Sequence, residues 1–207
     1  MSGILARKLE MTRIIKNDTF IPITLLSLLD MRVVGYKTQE KDGYSTIIVG
    51  VVKNNIPDTE ILWDMNGKTT LSKNKFSLLR EFPIDVSMEG KKELGSLIGY
   101  DEINELSEVR ISGISKWRWF TGAMKQHNFS GGPKTHGSKF HRALGSIWNR
   151  KPTRTHKGKK MHWHMGCERV TLNWVKVELV NKDIGIVWVR WAIPGARNSL
   201  VEIYFNN

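Results

Sequence analysis

The chain holds a single cysteine, Cys167, in 207 residues. That excludes an intramolecular disulfide framework and suits a reducing compartment. It also lacks a long apolar run. The longest, residues 21–29, is interrupted by Pro22, Thr24 and Ser27, far short of the about 20 apolar residues that a membrane span needs. Residues 1–11 lack the apolar core and small-residue cleavage site of a secretory signal. Hydrophobic residues make up 40% of the chain, so wholesale disorder is excluded. The expectation is a soluble intracellular protein of one large domain or two small ones.

Two further scarcities fall in one place. Residues 116–169 contain one acid, Glu168, against 13 Lys+Arg, and all six histidines lie there too. The other 153 residues carry 19 bases and 19 acids, so the whole formal charge of +12 sits in this window. A neutral body with a strongly basic segment points to a polyanionic partner, most often nucleic acid. The same 54 residues hold only two of Ile, Leu and Val, namely Leu144 and Ile147, beside seven glycines and two prolines. Such a segment buries too little apolar surface to offset an ordering entropy of roughly 1–2 kcal/mol per backbone residue. One reading is a disordered linker. The other is a segment ordered by RNA, because Trp117, Trp119, Phe120, Phe129, Phe140, Trp148 and Trp163 are interleaved with the bases. Cations and stacking aromatics at close spacing are what single-stranded and looped RNA orders on contact.

Outside the window the chain reads as short strands. Residues 13–16 and 20–29 flank an Asn17-Asp18 turn, and 31–38 and 44–52 flank Asp42-Gly43, a hairpin signal. Residues 53–74 read as a loop or small insertion, and 75–81 as a short helix. Residues 82–86, 108–114, 170–180, 184–191 and 200–205 read as further strands. The expected fold class is mainly β, a barrel or sandwich with minor α, plus a long, basic, irregular extension.

Chemistry-bearing clusters are few. His156, His162, His164 and Cys167 match no standard zinc spacing, and they sit among Lys157, Lys159, Lys160 and Arg169, a field hostile to a dication. His127, His136 and His141 are of the right type for a metal-independent nuclease, but a basic RNA-binding surface contains histidines by default. A magnesium nuclease needs carboxylates that the window lacks. Cys167 has no orienting Asp or Asn nearby. No catalytic residue, metal, cofactor, small-molecule substrate or membrane partner is expected. Lys157-Gly158-Lys159-Lys160 reads as a phosphate clamp, since lysine is a flexible point charge.

The order and spacing of many short motifs carry more than any one of them. They begin with Gly3-Ile4-Leu5, Lys8, Met11-Thr12, Ile21-Pro22-Ile23-Thr24, Asp42-Gly43-Tyr44 and Arg80-Glu81-Phe82. They run on from Gly113-Ile114-Ser115-Lys116 through Phe120, Gly122 and Lys125 to His127-Asn128-Phe129, Gly131-Gly132-Pro133, His136-Gly137-Ser138, His141-Arg142 and Gly145-Ser146-Ile147. They close with Lys157-Gly158-Lys159-Lys160-Met161, Met165-Gly166, Glu168-Arg169-Val170-Thr171 and Pro194-Gly195-Ala196. Together they resemble the bacterial-type family of large ribosomal subunit protein three. The resemblance implies a β-barrel body, residues 1–115 and 170–207 with a small insertion within 53–107, and a basic extension, 116–169. It implies a structural constituent of the large subunit, cytoplasmic within the ribosome, and not an enzyme. Its partners would be large-subunit rRNA, bound near its 3′ end early in assembly, and neighbouring large-subunit proteins. The extension would reach toward the peptidyl transferase centre. The expected rRNA-binding residues are Lys116, Arg118, Lys125, His127, Asn128, Lys134, His136, Lys139, His141, Arg142, Arg150, Arg154, Lys157, Lys159, Lys160 and Arg169. The competing function is a stand-alone RNA chaperone or metal-independent ribonuclease that reuses the barrel.

Five tryptophans depart from that family's pattern. Trp117, Trp119, Trp148, Trp163 and Trp191 stand where glycine is usual. Glycine in such turns allows positive φ or close backbone approach, and tryptophan allows neither comfortably. The expectation is one systematic cause: a gene that uses UGA for glycine, read as if UGA meant tryptophan. The competing reading is genuine tryptophans that stack on RNA bases. Arg110 also stands where the family tends to have Asp. The loop at Asn149-Arg150-Lys151-Pro152 lacks the glutamine that some relatives methylate, so that modification is expected to be absent.

Overall fold

Burial alternates with period two in parts of the body strands, as a half-buried pleated surface requires, and is continuous along others such as β3 (Met31–Lys37). In β7 (Glu108–Ile114) Val109 and Ile111 are wholly buried, and in β11 (Ile186–Arg190) Val187 and Val189 are. The computed structural model describes residues 3–53, 73–84, 92–98, 103, 108–147 and 150–205.

Six antiparallel strands close a barrel. β1 (Gly3–Lys16) pairs with β12 (Leu200–Phe205) on one side and β2 (Thr19–Leu28) on the other. From β12 the order continues through β7, β10 (Arg169–Asn181) and β11 back to β2. Closure removes the open edges that would otherwise invite pairing with another chain. One register shift matters below: Leu172 pairs with Ile111 and Val175 with Val109, so β10 carries one extra residue, a β-bulge.

A second sheet has the order β5-β4-β3-β6, with β3 (Met31–Lys37), β4 (Thr46–Val52), β5 (Phe76–Pro83) and β6 (Leu97–Ile98). Its Met31, Val33, Ile47, Val49 and Phe82 join Ile4, Leu5, Leu26, Val109, Val187 and Ile203 of the barrel in one apolar cluster. Phe82 is the largest side chain fully out of water, worth about 1.5–3 kcal/mol of burial. Its ring meets Tyr204 edge-on at 5.4 Å.

The chain divides into two compact units, Met1–Ile114 with Arg169–Asn207, and Ser115–Glu168. Within the second lie β8 (Arg118–Thr121) and β9 (Trp163–Met165), paired antiparallel, and a short helix, α2 (Ala123–His127). Residues 128–147 and 150–162 form no helix or strand.

The mainly β class holds, and several element boundaries differ from the sequence reading. Residues 76–81 belong to β5 rather than a helix. Phe76 and Phe82 are buried, and the segment pairs with β4 from Val52↔Phe76 to Thr46↔Pro83, so tertiary pairing overrides local helix propensity. Only Lys73–Lys75 makes a single 3₁₀ turn. β1 starts at Gly3 rather than at residue 13. The β3–β4 connection is no tight hairpin: a one-turn helix, α1 (Gln39–Asp42), intervenes, closed by Gly43. Most of the loop expected at 53–74 lies outside the described residues.

Candidate nucleic-acid interface

The two ends of Ser115–Glu168 are tied by backbone. Ser115 N–H donates to Glu168 O (2.8 Å), Cys167 N–H donates to Ser115 O (3.2 Å), and Glu168 N–H donates to Ser115 Oγ (3.2 Å). β8 and β9 continue from this root. Gln126 fixes α2 to β9 with both ends of its amide: Nε2 donates to His164 O (2.9 Å), and Oε1 accepts from Trp163 N–H (3.0 Å). Sequence reasoning missed Gln126, because nothing in an uncharged amide among cations marks it as a clamp.

Two histidines expected to face RNA each spend a ring N–H on the unit's own backbone. His127 Nε2 donates to Met161 O (3.0 Å), and His141 Nδ1 donates to Pro133 O (2.8 Å). Since the partners are carbonyls, the ring nitrogens must be the donors. Gly132 N–H donates to His141 O (3.0 Å), completing a loop closed across 132–141.

The cations form the outer surface. Lys116, Arg118, Lys125, Lys134, Lys139, Arg142, Arg150, Arg154, Lys157 and Lys160 are exposed, as are Asn128, His136 and His141; His127 and Lys159 are half-buried. Among the described residues none of the Lys or Arg side chains of Ser115–Glu168 has an ion pair with an acid. Arg150 and Arg154 share an open cavity of about 570 Å³ with Gly145, Ser146, Ile147, Thr153 and Thr155. Like charges held side by side without counter-charge repel, so an anion from outside would stabilise the arrangement.

Aromatic rings line β8 and β9. Trp117 stacks on His164 at 4.5 Å and on Trp119 at 6.1 Å, and Trp119 meets Trp163 edge-on at 5.1 Å. Phe120 meets His162 at 5.0 Å.

Arg169 stands apart from the other fifteen positions. It opens β10, in the body, and its guanidinium donates to the Glu202 carboxylate and to Tyr204 Oη (2.9 Å). Glu202 also accepts from Arg80 Nε (3.0 Å) and from the Tyr204 hydroxyl (2.9 Å). Glu202 is nearly buried, so this carboxylate needs both guanidinium partners. Burial, with the Glu202 hydrogen bond second, pushes the Tyr204 hydroxyl above its ordinary pKa. The sequence signal for this cluster was an acid placed between the apolar Val201 and Ile203 of a strand.

Among the described residues no group of three His, Cys, Asp or Glu could hold a metal ion, and no helix is long and apolar enough to cross a membrane.

Known proteins align along nearly the whole chain. The large ribosomal subunit protein uL3 of Thermosipho africanus is 40% identical over 207 residues, covering 98% of this chain and 97% of the relative. Those of Borreliella afzelii and Borrelia hermsii are 36% and 34% identical, again over 98% of this chain, covering 98% and 96% of the relatives. The chain belongs to the uL3 family. No protein-family model matches it. Because the uL3 alignments cover 98% of the chain, they span the cationic unit as well as the barrel.

Proposed function

We propose that the chain is a structural constituent of the large ribosomal subunit and that residues 116–169 bind large-subunit rRNA. It acts as a ribosomal component in the bacterial cytoplasm and carries out no catalysis of its own. The observation that carries this reading is the exposed, unpaired cationic surface of Ser115–Glu168, joined to membership of the uL3 family. Phosphates supply the counter-charge that the unit lacks, and flexible lysines with planar arginines match them by point charge and by fork. Binding near the 3′ end of the rRNA, action early in assembly, contact with neighbouring large-subunit proteins and a reach toward the peptidyl transferase centre complete the proposal.

Sedimentation tests it. Stoichiometric chain in salt-washed large subunits is expected, together with RNA crosslinks concentrated at residues 116–169. A predominantly free pool with RNA-remodelling or ribonuclease activity would point to the stand-alone RNA chaperone or nuclease instead.

A further inference from the structure

Five of the six described tryptophans are more than half exposed: Trp117 55%, Trp119 61%, Trp163 54%, Trp174 69% and Trp191 61%. An indole offers the largest apolar surface of any side chain, and here most of that surface gains nothing from the core. The backbone is more telling. Trp174 and Trp191 sit at φ +59° and +69°, in the left-handed region. The other described non-glycine residues there are Asn17, Asp18, Asn128, His136, Cys167 and Asn198, four of them Asn or Asp, whose short polar side chains tolerate it. Tryptophan has no such allowance.

Both positions are fixed by the surrounding structure. Trp174 is in the β10 bulge, between the Leu172↔Ile111 and Val175↔Val109 pairs. A bulge residue in the left-handed conformation is the standard place for glycine in a strand. Trp191 follows the end of β11; its N–H donates to Pro22 O (2.9 Å), and its C=O accepts from Thr24 Oγ1 (2.7 Å). These two hydrogen bonds hold the peptide in place while the ring lies largely exposed, with the Arg190 guanidinium 5.7 Å from its centroid.

We propose that residues 174 and 191 are glycine in the protein that functions, and that 117, 119 and 163 are glycine with them. One wrong residue type at several unrelated places calls for one cause, and a single codon, UGA, decoded as glycine but written as tryptophan, supplies it. Trp174 enters this set on backbone geometry alone. On the rRNA reading there is a consequence for β8 and β9: they would present bare backbone to RNA rather than a row of indoles.

Peptide mass spectrometry of large subunits from the source cells decides it, together with the codons. Peptides spanning 174 and 191 are expected to be lighter, each by the difference between an indolylmethyl group and a hydrogen, with UGA at both codons. Tryptophan masses or UGG codons at 174 and 191 would overturn the proposal. In recombinant chain written with tryptophan, W174G and W191G are each expected to raise the melting temperature by about 2–5 °C. W174A and W191A should gain less, because alanine retains the left-handed penalty. Alanine variants that melt as high as the glycine variants would show that the backbone makes no demand for glycine.

Discussion

The two units solve opposite problems. The body is electrically balanced and keeps every buried apolar side chain of the described residues except Ala123. The unit Ser115–Glu168 concentrates the charge and has almost nothing to bury. Burial is the dominant favourable term in folding, so the body has its own reason to be ordered. The basic unit has local ties instead: the bonds between Ser115 and residues 167–168, the short β8–β9 pair, the Gln126 clamp and the His127 and His141 carbonyl bonds. A neutral intramolecular hydrogen bond contributes only about 0.5–1.5 kcal/mol net, and these few bonds are set against the entropy of some fifty residues. The lesson is a division of labour in which one unit folds by excluding water and the other, on the proposed rRNA reading, would be completed by counter-charge.

The largest effect that would break this comparison is on RNA affinity. If about eight of the cations neutralise phosphates, log K should fall against log salt with a slope on the order of −6 to −7. Between 50 and 200 mM salt, that corresponds to a loss of affinity of about 4 × 10³- to 2 × 10⁴-fold. Filter binding with an rRNA fragment checks it. Replacing residues 116–168 with a short linker should abolish the binding and leave a cooperative thermal transition in the body. A flat salt response would mean that stacking or shape, not charge, carries the contact.

Stability should split in the opposite way. Phe82 is wholly buried where the second sheet meets the barrel, and Phe82→Ala should cost about 3–5 kcal/mol. Calorimetry should show a lower melting temperature, with the salt slope of RNA binding unchanged. Hydrogen exchange on the free protein sharpens the same contrast. Amides of β7, β11 and β12 should be slow, and those of 128–147 fast until RNA is added. Slow exchange across 128–147 without RNA would show that the unit orders itself.

How much of this was legible follows from the same physics. The barrel strands were readable because period-two burial writes itself into sequence, as in Val187 and Val189. The segment 76–81 was misread because its fate depends on a partner strand some thirty residues away. In the basic unit, composition marks which side chains are exposed cations, since charge and exposure go together. The internal scaffold was hidden: Gln126 carries no pattern, and a histidine that binds a carbonyl looks like one that binds a phosphate. Arg169 was grouped with the cations expected to bind RNA by its place in the chain; its pairing with Glu202 had no signal there. Only the fold brings β10, β12 and Arg80 of β5 together.

A smaller effect tests geometry within the cationic surface. Arg142 is exposed and has no ion pair among the described residues. Its planar fork can grip one phosphate with two hydrogen bonds or stack on a base. Arg142→Lys keeps the charge and should still reduce incorporation into large subunits, measured by competition with wild type. In the body, Lys92→Ala should have little effect on incorporation. Lys91, its neighbour in the chain, lies outside the described residues. If Arg142→Lys incorporates like wild type while Arg142→Ala fails, charge alone suffices at this position.

The smallest effect concerns pH and belongs to the body. Burial raises the Tyr204 pKa, the Glu202 hydrogen bond adds to it, and Arg169 opposes it. The folded state therefore holds this proton more tightly than the unfolded chain, whose tyrosines titrate near about 10. Its stabilising contribution is full below that value and is lost as pH rises through the higher folded value. Tyr36, raised mainly by burial, acts in the same direction. Lys92 acts in the other: burial lowers its pKa, so the unfolded state binds its proton more readily, and stability rises with pH across that interval. The net expectation from the two tyrosines is a decline in melting temperature above pH about 10, with Lys92 acting in the opposite direction below its ordinary value of 10.5. Tyr204→Phe removes the hydroxyl that donates to Glu202 and should cost about 0.5–1.5 kcal/mol at neutral pH. The same variant should flatten the alkaline decline, because a group that no longer titrates no longer distinguishes the folded from the unfolded chain. Thermal melts of wild type and variant in parallel, from neutral to alkaline buffer, measure both effects at once. An alkaline decline equally steep in the variant would assign the titration to another group and leave Tyr204 a purely structural partner of Glu202.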